Sequence, residues 1–149
     1  MSLMNRVSGL VLAAGVAAAG LQAVAQSKPQ NYKGLEVWVS GVERASNVSL
    51  TDCPPGANIV RGVIKPGDPM EFASVKVDFK VTPAFQPGPL PKPVVQDAAG
   101  KTYNTAQSFA EVGATPSFSC TFSFRVPTGT ELKKLTLDTV SIDLPAIAK

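Results

Sequence analysis

Residues Phe118-Ser-Cys-Thr-Phe-Ser-Phe-Arg-Val-Pro127 alternate without a break. Phe118, Cys120, Phe122, Phe124 and Val126 fall on one side, and Ser119, Thr121, Ser123 and Arg125 on the other. Successive strand residues point to opposite faces, so the stretch predicts a β-strand with one dry side and one wet side. Three of the seven phenylalanines and one of the two cysteines stand here, which marks it as a central strand of the core.

Two other segments repeat the pattern. Over Ala73 to Val81, Val75, Val77, Phe79 and Val81 oppose Ser74, Lys76, Asp78 and Lys80, as in an antiparallel sheet with one solvated side. In Leu35-Glu-Val-Trp-Val-Ser40 the apolar face is Leu35, Val37 and Val39, and Trp38 lies on the polar face with Glu36 and Ser40. A large aromatic so placed either packs under a loop or marks a surface for a partner, which makes Trp38 the candidate contact residue. Val94 to Tyr103 predicts a hairpin, with Asp97 to Gly100 as its turn. Leu132 to Leu137 and Val140 to Leu144 close the chain. Their apolar phase changes from odd to even, which predicts a bulge or strand break near Asp138-Thr139.

The remaining segments connect these strands. Gln26 to Gly34 is polar and reads as a loose leader. Asn47 to Pro69 contains a turn around Cys53, a short strand from Asn58 to Ile64 broken by Gly62, and a second turn at Lys65-Pro-Gly-Asp-Pro69. Pro83 to Pro93 holds five of the thirteen prolines. Proline cannot donate a ladder hydrogen bond, so this stretch predicts a stiff crossing or a blunted edge. Asn104 to Thr115 is a polar connection anchored by Phe109 and Val112. No helix of normal length fits after residue 25. About seven short strands with Gly/Pro-rich turns give an all-β sandwich or barrel.

The chain has 149 residues, enough for one domain. Residues 1–25 read as a signal peptide: Arg6, an apolar run from Gly9 to Leu21, and Ala23-Val24-Ala25 before Gln26. The run is short of the roughly 20 apolar residues a bilayer span needs, so no stable membrane insertion is expected after cleavage. The domain then occupies residues 35–149, behind the leader at 26–34. Arg6 lies in the signal segment, which leaves 13 of the 14 basic side chains against 11 acidic ones. They are dispersed, with no basic stripe for nucleic acid. An exported chain meets an oxidising compartment, where Cys53 and Cys120 are expected to pair as a disulfide.

Chemistry is sparse. Without histidine there is no Ser-His-Asp or Cys-His arrangement. No zinc or copper set, phosphate loop, dinucleotide motif or calcium loop is present, so no cofactor or metal is expected. The acids are scattered, with Asp138 and Asp143, or Asp52 and Asp68, the pairs a carboxylate hydrolase would have to bring together.

The strand Ala73-Ser-Val-Lys-Val-Asp-Phe-Lys-Val81, the hairpin Gln96-Asp-Ala-Ala-Gly-Lys-Thr-Tyr103, then Phe122-Ser-Phe-Arg-Val-Pro127 and a closing strand after Leu132 follow one another in a distinctive order. In that order the chain resembles the small secreted bacterial immunoglobulin-like domains that include the mycobacterial immunoprotective antigens. The resemblance covers about half the chain. It implies an immunoglobulin-like antiparallel β-sandwich outside the inner membrane, and it brings no catalytic residue. Antibody-type domains place a tryptophan between their two cysteines, whereas Trp38 precedes both here. The expectation is an exported, non-enzymatic immunoglobulin-like domain, periplasmic or secreted, that binds a protein partner. The alternatives are a structural subunit of a cell-envelope complex and a hydrolase using the scattered carboxylates.

Overall fold

The computed structural model describes residues 26–145, so the signal peptide expected at residues 1–25 lies outside the described residues. Ten strands and no helix are found there: β1 Gln30–Tyr32, β2 Leu35–Ala45, β3 Asn47–Thr51, β4 Ile59–Val63, β5 Met70–Val81, β6 Val94–Asp97, β7 Thr102–Asn104, β8 Ser117–Pro127, β9 Leu132–Leu137 and β10 Val140–Asp143. They form one sheet in the order β1-β2-β5-β8, a second in the order β10-β9-β6-β7, and a separate ribbon of β3 and β4. Every strand pair is antiparallel.

The chain leaves β5 for β6 in the second sheet, returns to pair β8 with β5, and crosses again to pair β9 with β6. That is the Greek-key winding of an immunoglobulin-like sandwich. Eight strands build the two sheets, against about seven expected, and two more form the ribbon.

The alternation read from the sequence becomes the core. Leu35, Val37 and Val39 of β2, Val75, Val77 and Phe79 of β5, and Cys120, Phe122, Phe124 and Val126 of β8 are all buried. Val95, Leu132, Leu135, Leu137 and Ile142 meet them from the second sheet. Fully burying side chains of this size contributes roughly 1.5–3 kcal/mol each. In β2 the register shifts between Val39 and Gly41, so Ser40 is an extra residue. The bulge returns Val42 to the inner face, opposite Val75.

Several expectations are corrected. β2 and β5, not β8, are the inner strands: β8 is a border of its sheet, because the segment after β7 does not supply a further full strand beside it. The leader is not loose at its end. Gln30 to Tyr32 pairs with β2, and Tyr32 is 2% exposed, with its hydroxyl donating to Asp138 Oδ2 at 2.7 Å. The phase change near Asp138-Thr139 is the strand break, not the bulge, of the two expected forms: β9 ends at Leu137 and a two-residue hairpin turn leads into β10, with Leu137 paired to Val140 and Leu135 to Ile142. Asp138 carries it at φ 51°, a conformation a short polar side chain tolerates.

Gly62 does not break β4. It faces the ring of Phe72, and a Cβ there would stand 2.8 Å from that ring. Pro83 to Pro93 forms no ladder and carries the chain from β5 to β6. It passes so close to Gly34, at φ 89°, that a Cβ on that residue would lie 2.3 Å from the backbone nitrogen of Phe85. Phe109 and Val112 anchor the connection to β8, with the Phe109 ring 5.8 Å from Phe79 and 5.5 Å from Phe122.

The two faces of β8 predict unequal responses to truncation. Phe122→Ala is expected to lower the unfolding free energy by about 3–5 kcal/mol. The exposed Thr121→Ala is expected to change it by about 0.5 kcal/mol or less. Urea denaturation compares them, and equal losses would contradict the dry and wet assignment.

Candidate functional site

Cys53 and Cys120 are brought to disulfide distance, with Cα atoms 5.5 Å apart. Cys120 lies on the inner face of β8, and Cys53 stands outside the strands in the connection from β3 to β4. Its position is fixed by backbone bonds to the segment after β7: Cys53 N donates to Ser108 O, and Ala110 N to Cys53 O. The buried Gln107 completes this seam. Its side-chain amide donates to Thr51 O and Thr121 O, both at 2.7 Å, and its carbonyl accepts from Ser123 N at 2.8 Å. One amide therefore satisfies backbone groups of both β3 and β8. Nothing in the alternation pointed to Gln107, whose partners lie on two distant segments.

Asp68, Glu71, Asp78 and Asp138 are each engaged by a separate partner. Asp68 pairs with Arg125 at 2.5 Å. Glu71 pairs with Arg44 at 2.8 Å and accepts from Gly129 N. Asp78 accepts from Ser119 Oγ across the strand pair. Asp138 holds the Tyr32 hydroxyl, whose pKa is raised by burial and then by that carboxylate. No group of three His, Cys, Asp or Glu side chains suited to a metal occurs among the described residues.

Asp97 organises the β6–β7 hairpin. Its Oδ1 accepts from Ala99 N and Lys101 N, both at 2.9 Å, and its Oδ2 from the Tyr103 hydroxyl at 3.0 Å. Partial loss of solvent acts to raise its pKa. The donors from Lys101, Tyr103 and Ala99, with the Lys101 charge, outweigh that and hold the carboxyl below its ordinary value. This gives a physical role to the Asp-x-x-Gly-Lys-x-Tyr spacing: the acid ties the turn, Gly100 takes φ 87°, and tyrosine returns to the acid.

Two surfaces stand out as contact candidates. Trp38 is half-buried on the outer face of the first sheet, across from Asp78, with Ser119 beyond it. The β3–β4 ribbon is more exposed. Ile59 and Val60 are each 63% exposed and Val63 is 60% exposed. Val48 and Gly62 turn towards Phe72, which lies on the outer face of β5 and is itself covered. A shallow groove of about 270 Å³ runs between Asn47, Val48 and Ser49 on β3 and Arg61, Gly62 and Val63 on β4. A second open cleft, of about 420 Å³, lies between Lys33 and the proline segment at Phe85 and Leu90.

Reasoning from alternation missed the ribbon as a surface. The signal was the apolar doublet Ile59-Val60 in a short strand. Adjacent strand residues face opposite ways, so a thin ribbon cannot bury both.

Two outcomes follow. Replacing Cys53 and Cys120 together by alanine is expected to cost about 4 kcal/mol by the loop-entropy model for a 67-residue separation. The loss should appear in oxidising buffer and vanish against wild type in reducing buffer. The lowered pKa of Asp97 gives stability that is present above the unfolded pKa and lost as pH falls through the folded one. The advantage of wild type over Asp97→Asn should be level near neutral pH and shrink below about pH 4, as read by denaturation across pH.

No family model and no curated protein matches the chain. Among solved structures, an uncharacterised β-sandwich protein from Clostridium difficile 630 is similar at 12% identity and TM-score 0.48, over 80% of this chain and 90% of that one.

Proposed function

We propose that the chain is an exported, non-enzymatic immunoglobulin-like module, periplasmic or secreted, that binds a protein partner through the β3–β4 ribbon. The observation that carries this reading is the exposure of Ile59, Val60 and Val63 together on one short strand. Single exposed apolar residues are ordinary, whereas here Ile59 and Val63 share one face of β4 and Val60 adds apolar surface on the other, so the ribbon is apolar on both sides, as a contact element is. The ribbon takes over this role from Trp38, which is half-buried. Export is supported by the signal-like residues 1–25 and by two cysteines at disulfide distance. The non-enzymatic part is supported by the lack of histidine and by carboxylates that tie strands and turns to one another.

Capture from an envelope extract of the source cell tests the reading. A variant with Ile59→Ser, Val60→Ser and Val63→Ser keeps the core intact, since all three are exposed. It is expected to lose at least about tenfold of the partner recovered by wild type, as removal of a central apolar contact does. Trp38→Ala should retain recovery. Loss with Trp38→Ala alone would move the contact to the sheet face, and equal recovery by all three proteins would refute the ribbon.

A further inference from the structure

The two large sheets shield one another's borders. β1 lies against β10 and β7 beside β8, while Thr105 bridges to Phe124 on β8. The ribbon is different: among the described residues no strand lies beyond β4. Its hydrogen-bond phase follows from Ile64 N donating to Ser46 O at 2.8 Å. That pair continues the register in which Val48 meets Gly62 and Leu50 meets Val60. Bonded and non-bonded pairs alternate in an antiparallel ladder, so the N–H and C=O groups of Ile59, Arg61 and Val63 turn outward, away from β3. The side chains of the same three residues share one face. An apolar, unpaired edge of this kind is a template for an incoming strand.

The charge on the edge defines what suits it. Arg61 stands between Ile59 and Val63 and has no ion pair or side-chain hydrogen bond among the described residues. We propose that β4 takes up an extended segment of a partner protein as an added strand, with an acidic side chain across from Arg61 and apolar side chains across from Ile59 and Val63. Backbone bonds supply the grip and the three side-chain positions the selectivity, as in other cases of strand addition. A second copy of this chain suits the edge less well. Pairing centred on Arg61 sets two guanidinium groups opposite each other, and like charges directly across a strand pair are destabilising. The proposal rests on the ribbon being the contact surface.

The probe is the peptide acetyl-Thr-Val-Thr-Glu-Thr-Val-Thr-amide, with a twin carrying Lys in place of Glu and a third form N-methylated at both Val and at Glu. Amide hydrogen exchange of the full exported chain is followed by NMR as peptide is added. The Glu peptide is expected to slow exchange at Ile59, Arg61 and Val63 and to leave the already paired Val60 and Gly62 unchanged. Arg61→Glu is expected to weaken the Glu peptide about tenfold and to favour the Lys twin, and the N-methylated form should not bind. Lack of slowing at the three amides up to about millimolar peptide, the weakest range of specific recognition, overturns the proposal. Equal binding of both peptides by Arg61→Glu overturns it as well. Slowing that grows with protein concentration alone, together with dimers in sedimentation, overturns it in favour of a second copy. If partner capture depends on Ile59, Val60 and Val63 while the amides stay unprotected, strand addition fails and the contact reading survives. If capture ignores those residues, the contact reading itself has failed.

Discussion

Val75 stands across from Phe122, Val77 across from Cys120 and Phe79 across from Phe118, and the other parts of the fold depend on that register. A slip of one residue would turn every one of these side chains to the wet face. It would also carry Cys120 away from Cys53 and break the Ser74–Ser123 hydroxyl contact on the outer side. The register is held along eleven paired positions, from Met70 with Pro127 to Lys80 with Ser117. Ion pairs fasten the far end, where Arg44 reaches both Glu71 and Thr130 O, and Arg125 reaches Asp68. The phenylalanines then supply the bulk: Phe79 stacks on Phe118 at 4.8 Å, and Phe109 closes over Phe79 and Phe122 from the side.

A border strand as apolar as β8 needs its backbone groups occupied, and the chain does this with little secondary structure. Thr105 contributes one bridge, and the Gln107 side chain imitates a peptide group beside Thr121 and Ser123. The same amide reaches Thr51, so the end of β3 is fixed by the solution to a problem on β8. The ribbon therefore leaves the body from a defined base, with Phe72 beneath Gly62 as a second support. Rigidity at its base and openness along β4 arise from separate contacts.

Much of this was legible in the residues. The alternations in β5 and β8 name the inner faces, although Ser74 and Ser123 on the expected wet side are buried against each other, and the Asp97 turn was marked by its glycine and its spacing. What escaped was set by distant partners. Tyr32 looks like part of a polar leader until Asp138 is beside it. Val42 is out of phase with Val39 until the bulge at Ser40 is known. Asn47 to Thr51 has no strong pattern of its own and becomes a strand because Ile59 to Val63 lies opposite. The turn at Asp138-Thr139 was located by phase, but phase alone does not separate a bulge from a hairpin. The exposed ribbon was hidden for a related reason: periodicity says which residues share a face, and the tertiary fold decides whether anything covers it.

The tether between Cys53 and Cys120 encloses β4, β5, β6 and β7, together with the proline crossing and the segment that carries Gln107. A protease would find accessible backbone in that enclosed length, at the exposed turn before β4 or along the prolines. With the bridge formed, a single cut anywhere inside it yields two pieces that remain one covalent molecule. Each piece keeps its strands in the sheets, so a nicked chain can hold its shape until the sulfur bridge is also reduced.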